Sequence, residues 1–175
     1  MKSRLAALAI AALVVGTAAL LWILSQTRHD RLAPPGEELV SDDFGFRIAG
    51  VRETPSITNP TGRLAAEGVF CVVALTVANH AVGVPYRMDQ HHAILCDAAG
   101  RKYLVARTAQ EALERGECVP RRAVLEPGEE CTEEIVFEIP RDARELSLRI
   151  SWGGPLVDAA EYVVFGDRRL ALPAR

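Results

Sequence analysis

Aromatic residues are scarce: five Phe, three Tyr and two Trp make up 6% of the 175 residues. A carbohydrate platform of stacked rings has little material here. The sequence holds no Gly-x-Ser-x-Gly, no His-Glu-x-x-His, no phosphate-binding Gly-Lys-Ser/Thr and no EF-hand loop. No catalytic residue, cofactor or enzymatic activity is therefore expected. There is no Cys-x-x-Cys either, which argues against a thioredoxin-type redox pair and a zinc knuckle. The formal net charge of -3, without a basic patch, gives no reason to expect a nucleic-acid partner. No internal repeat or low-complexity tract is visible.

One long apolar run is present. Leu5 to Leu24 is 20 uncharged, almost wholly apolar residues, long enough as a helix to cross a hydrocarbon core of roughly 30 Å. Lys2 and Arg4 precede it, which predicts a cytoplasmic tail over 1–4, a transmembrane signal anchor over 5–24 and export of the remaining chain. A cleavable signal peptide is the competing reading. Its apolar region would end at a small-x-small site, whereas Leu20-Leu21-Trp22-Ile23-Leu24 continues past the small residues Gly16 to Ala19. A lipid anchor needs a cysteine just after the run, and the first cysteine is Cys71. Residues 25–42, with Pro34-Pro35-Gly36 and few apolar positions, read as a flexible tether before a domain over 43–175.

Within that domain the hydrophobic period is two. Pro127-Gly128 sets a turn, and from Cys131 the odd positions Ile135, Phe137 and Ile139 are apolar while Thr132, Glu134 and Glu138 are polar, up to Pro140. This predicts an antiparallel strand with one wet face. Val69 to Asn79 is the strongest strand, apolar on both faces and therefore central or covered twice. Further strands are expected over 43–52, 86–88, 91–96, 101–106, 145–152, 162–165 and 168–172. Residues 54–62, with Pro55 and Asn59-Pro60, read as a loop, and Asp97 to Gly100 as a hairpin turn. Thr108 to Arg115 is the single helical piece, with Thr108 and Glu111 spaced as in a capping box. Many short strands with turn signals about every ten residues predict an all-β sandwich.

The strand Phe70-Cys-Val-Val-Ala-Leu-Thr-Val-Ala-Asn79, the hairpin Leu95-Cys-Asp-Ala-Ala-Gly-Arg-Lys-Tyr103, the turn Leu125-Glu-Pro-Gly-Glu129 and the strand Ile135-Val-Phe-Glu-Ile-Pro140 occur in this order. Together they resemble the telokin-like, immunoglobulin-like domain-of-unknown-function family of bacterial envelope and secreted proteins. The resemblance covers about Asp43 to Trp152. It implies an immunoglobulin-like antiparallel β-sandwich behind a single span, with no assigned activity and no catalytic residues. The four cysteines depart from the family's usual pattern.

In an exported domain, Cys71, Cys96, Cys118 and Cys131 are disulfide candidates. If strands alternate in direction as in an immunoglobulin-like sandwich, the strands beginning at Cys71 and Cys131 start at the same end. That favours Cys71 with Cys131 and leaves Cys96 with Cys118; the other reading is four buried thiols acting as small hydrophobes. His80, His91 and His92, with Asp89 and Cys96 near in sequence, invite a metal site. Neighbouring residues on a strand point to opposite faces, however, so surface histidines are expected and no metal. Glu129-Glu130 and Glu133-Glu134 are expected on a solvated outer face. The function these readings support is a non-enzymatic extracytoplasmic binding or assembly module. It sits on the bacterial cytoplasmic membrane with its N-terminus inside and its domain in the periplasm or outside, and contacts another envelope protein. The alternative is a metal- or redox-responsive envelope sensor using His80, His91, His92 and the cysteines.

Overall fold

The computed structural model describes residues 31–88, 92–117, 124–151 and 167–173, together with Gly16. The chain divides into two units, Met1–Arg31 with Gly154–Asp167 and Leu32–Gly153 with Arg168–Arg175. Nearly all of the first lies outside the described residues, including the expected strand over 162–165 and, but for Gly16, the expected span over 5–24. Among the described residues no helix is long and apolar enough to cross a membrane.

The described residues form eleven strands and one complete helix: β1 (Arg31–Ala33), β2 (Leu39–Ser41), β3 (Phe44–Asn59), β4 (Gly62–Asn79), β5 (Tyr86–Arg87), β6 (His92–Cys96), β7 (Lys102–Leu104), α1 (Arg107–Glu117), β8 (Val124–Leu125), β9 (Glu130–Ile139), β10 (Ser147–Ser151) and β11 (Arg168–Ala171). One sheet runs β1-β11-β10-β6-β7, the other β2-β3-β4-β9, and β5 pairs with β8. The expected all-β sandwich with one short helix is the fold found.

Alternation accounts for the core. The odd residues of β4, Cys71, Val73, Leu75 and Val77, join Ile135, Phe137 and Ile139 of β9 and Leu95 and Leu148 of the facing sheet in one buried cluster. The even residues Phe70 and Val72 join Val136, Ile57, Ala109, Ala112 and Leu113 in a second cluster on the outer face. The doubly apolar strand is thus covered twice, the outer cover being α1. The same face turns polar at the margin of α1, where Arg52 donates to Glu134 at 2.7 Å, and past it, where Thr76 and Thr132 bond hydroxyl to hydroxyl at 2.8 Å.

The helix also closes an edge. Its Gln110 amide nitrogen donates to the Glu134 carbonyl at 2.8 Å, and its amide oxygen accepts from the Val136 N–H at 2.9 Å. One side chain therefore mimics a neighbouring strand and satisfies two backbone groups of β9. Gln110→Leu should leave both groups without this partner and cost about 2 kcal/mol, measurable by urea denaturation. A transition unchanged within error would contradict the closure. The helix begins at Arg107, so Thr108 lies inside it and the expected cap is not made.

Two segments differ from expectation. Within the tether expected over 25–42, Arg31–Ala33 and Leu39–Ser41 are strands, and 25–30 lie outside the described residues. The loop over 54–62 is instead the far half of a long hairpin whose register runs from Phe44 opposite Asn79 to Asn59 opposite Gly62. Pro55 is tolerated because it falls at a register shift, with Thr54 opposite Phe70 and Ser56 opposite Ala65, where it has no ladder partner and its missing N–H breaks no rung. Only Pro60 and Thr61 are left for the turn.

The hairpin of β6 and β7 turns at Asp97 to Gly100 as expected, and Gly100 supplies φ +77°. Asp97 is buried and accepts from the Arg101 amide at 2.9 Å, the Arg101 Nε at 2.6 Å and the Tyr103 hydroxyl at 2.8 Å. Burial pushes its pKa up, but the hydrogen bonds from Tyr103 and Arg101 outweigh this and hold it below the usual carboxylate range. Tyr103 moves the other way, pushed up to about 12 by burial and by its bond to Asp97. A depressed carboxylate contributes stability above its unfolded pKa of about 3.9 and loses it as pH falls through the folded value. Asp97→Asn is therefore expected to be less stable at neutral pH and to show a shallower loss on acidification, tested by denaturant titrations at pH 7 and below pH 4.

Candidate functional site

Asn79 ends β4, and three segments converge on it. Its backbone N–H donates to the Glu129 carbonyl at 2.9 Å and its carbonyl accepts from the Gly128 N–H at 2.8 Å. The Pro127-Gly128 turn, with Gly128 at φ +82°, is thereby clasped to the end of β4. The Asn79 side chain, 1% exposed, donates to the Val84 carbonyl at 2.9 Å and the Leu125 carbonyl at 3.0 Å, and accepts from the Ala81 N–H at 3.0 Å. Aspartate could not make the two donations, and a longer amide would not sit at this depth unchanged.

The consequence is an apolar tip held in place. Val82 is 102% exposed and Val84 60%, and Val124 on the adjacent β8 is also exposed. Of the six large apolar side chains exposed among the described residues, three lie here. A valine is ordinarily placed in water singly; a group on a loop fixed by a buried amide is what an interaction surface requires. The flanking turns are acidic, with Asp42, Asp43, Glu126 and Glu130 exposed. His80 follows Asn79, its amide bonded to the Asp43 carbonyl at 2.8 Å and its Nε2 3.2 Å from Glu38.

Beneath this tip, between the sheets, lies a second group. Tyr86 is fully buried, its ring 4.6 Å from that of Phe44 and 6.4 Å from that of Phe46. Met88 is buried and its Sδ is 3.9 Å from Cys131 Sγ. Glu133 is 9% exposed. Burial first, then the charges of Glu133 and Cys131, push the Tyr86 hydroxyl far above its ordinary pKa.

Glu133 corrects the expectation of a solvated outer face. Two residues beyond Cys131 and two before Ile135, it shares their parity and points inward. Its neighbour Glu134 is on the outer face, as expected, paired with Arg52. The break in alternation at Glu133 was visible in the sequence as a charged residue on the apolar face.

The favoured Cys71–Cys131 disulfide is also corrected. In the β4–β9 ladder Cys71 lies opposite Phe137 and Cys131 opposite Val77. Six rungs at about 3.3 Å each put them roughly 20 Å apart, beyond any disulfide. The strands are hydrogen-bonded neighbours in one sheet, antiparallel, and β4 begins at Gly62 rather than near Cys71, so the two cysteines sit toward opposite ends. No disulfide joins the described cysteines. Cys71 and Cys96 are buried and Cys131 half-buried; Cys118, the partner expected for Cys96, lies outside the described residues.

His92 begins β6 and is exposed, and His91 and Asp89 lie outside the described residues. Among the described residues no three of His, Cys, Asp and Glu gather as metal ligands. His80 engages Glu38 instead. The role of Asn79 was missed by sequence reasoning, which took it as the last residue of a strand; nothing in a lone Asn distinguishes a strand end from a buried clasp.

Solved structures resemble this fold. A secreted protein of Mycobacterium tuberculosis, MPT63, aligns with a TM-score of 0.56 at 15% identity over 82% of this chain and 98% of its own. A conserved hypothetical protein from Bacillus anthracis aligns at 0.56 and 16% identity over 67% of this chain and 89% of its own. The yjhA protein of Bacillus subtilis aligns at 0.51 and 13% identity, covering 81% and 100%. At these identities the likeness is one of fold, and an immunoglobulin-like sandwich fits it. No curated protein matches the sequence. The family model described as "Domain of unknown function (DUF4352)" matches residues 34–160, well over half of the chain, and the protein belongs to that family.

Proposed function

We propose that this chain is a non-enzymatic extracytoplasmic binding or assembly module, with a sandwich of the telokin-like immunoglobulin type. In this reading 1–4 stay in the cytoplasm, 5–24 anchor the chain in the bacterial membrane and 25–30 form the tether. The Val82–Val84 loop contacts another envelope protein. The observation that carries it is the apolar tip exposed to water yet fixed from beneath by Asn79, an arrangement that the core does not need. The resemblance in fold to a secreted protein fits an exported domain. The acidic flanking turns suit a partner whose apolar cleft is rimmed by Lys and Arg.

The test is site-specific photo-crosslinking in the full-length chain in its own membrane, with the photoreactive residue at Val82. One discrete crosslinked protein is expected, lost when Val84 is also changed to Asp and not formed from the same probe at Thr61. No product, or a product indifferent to Val84→Asp, would reject the loop as the contact. Retention in the membrane pellet after alkaline extraction checks the anchor; release into the supernatant would favour a cleaved signal peptide.

A further inference from the structure

We infer that Met88 and Cys131 form a binding site for one soft monovalent cation, Cu(I), at the edge of the space between the sheets. This goes beyond the docking reading and does not depend on it. Two sulfurs of different kinds, a thioether and a thiol, face each other 3.9 Å apart. They come from segments 43 residues apart in sequence, so local chain geometry does not impose the meeting. Thiolate and thioether donors select Cu(I) over the harder divalent ions. With sulfur–metal bonds of about 2.3 Å, as for thiolate–metal bonds generally, sulfurs at this spacing share one ion at an angle of about 115°. That angle suits a trigonal ion and leaves one position open.

The surroundings favour a cation. Glu133 lies on the same face of β9 as Cys131, two residues on, and both bear electrostatically on the buried Tyr86 hydroxyl. Glu133 thus puts a carboxylate on the same inward face of β9 as Cys131. Access is through Cys131, which is half-buried, while Met88 lies deeper. Zinc is the poorer fit, since it takes four ligands and no three of His, Cys, Asp and Glu gather among the described residues. Binding is a simple exchange: the Cys131 thiol gives up its proton to solvent, Cu(I) takes its place on the sulfur, and no electron changes hands. Cys71 and Cys96, enclosed in the core at 0% and 3% exposure, are the internal controls.

The experiment is an anaerobic Cu(I) titration of the full-length protein in detergent against bicinchoninate. One Cu(I) per chain is expected to be withdrawn from the chelator. Met88→Leu, which nearly conserves volume and keeps the fold, should weaken binding at least tenfold, and Cys131→Ser should abolish it. Cys96→Ala should leave it unchanged. X-ray absorption should find two sulfur neighbours on copper in the native protein and one fewer in Met88→Leu. If the native chain takes no copper from the chelator, or if Met88→Leu binds as tightly as the native chain, the site is not there. Should Cys131→Ser fail to fold, the Met88→Leu comparison and the sulfur count still decide.

Discussion

Gly68→Ala is expected to destabilise the domain by about 2–3 kcal/mol. A methyl group built at Gly68 would collide with the Ile139 carbonyl oxygen and stand 3.0 Å from the Ile139 carbonyl carbon and 3.1 Å from the Pro140 Cα. All three atoms are backbone, so no rotamer change relieves the contact. Either β4 or β9 must move, and the next rung, Val69 opposite Ile139, holds both. Gly45→Ala is the control. There an added methyl would meet the Glu38 carboxyl group and the His80 Nε2, the far ends of partly exposed side chains. These can rotate away, and the cost should stay under about 1 kcal/mol. Urea denaturation of the two variants should separate them clearly; equal midpoints would mean that β9 shifts freely past position 68.

Asn79→Ala should cost about 3 kcal/mol, because removal of one buried amide strips partners from the Val84 and Leu125 carbonyls and the Ala81 N–H together. Asn79→Asp is the sharper probe. It keeps an oxygen for the Ala81 N–H but offers a carboxylate to two carbonyl oxygens, and should be at least as damaging as alanine. Both changes should also release the loop, so that limited proteolysis cuts within residues 81–85 faster than in the native protein. Lost stability with an unaltered cleavage rate would mean that Asn79 supports the core but does not position Val82 and Val84. The loop would then have no fixed shape to present to a partner, which bears directly on the proposed function.

Much of the architecture was legible in the chain because burial enforces a period of two. The segment around Ile135, Phe137 and Ile139 announced its inner face, and Phe70 with Val72 announced that something must cover the outer one. The cover, α1, was also visible, though its role was not. Gln110 reads as one polar residue on a short helix, and only the placement of β9 beside it makes its amide a substitute strand. Local turn chemistry misled at Pro55, whose usual meaning is a break; a register shift lets β3 continue through it. The cysteine pairing failed for a different reason. Which strands adjoin in a sheet is a long-range property, and placing β4 beside β9 turned two apparently facing ends into opposite ones. The candidate site was least legible of all, since Asn79, Met88 and Cys131 acquire meaning only from partners distant in sequence.

The two-residue turn at Pro60 and Thr61 has a practical consequence. The β3–β4 hairpin carries this exposed tip at one extremity and Asn79 at the other. The sixteen residues of β3, with two register shifts, run between them. Exposed tips of this kind accept inserted sequence, because the added chain disturbs neither core nor ladder. A reporter domain or epitope spliced after Thr61 would thus ride far from the Val82 loop. The protein could then be labelled in cells with the surface proposed for its partner left open, and the label would report whether the domain reaches the envelope location proposed for it.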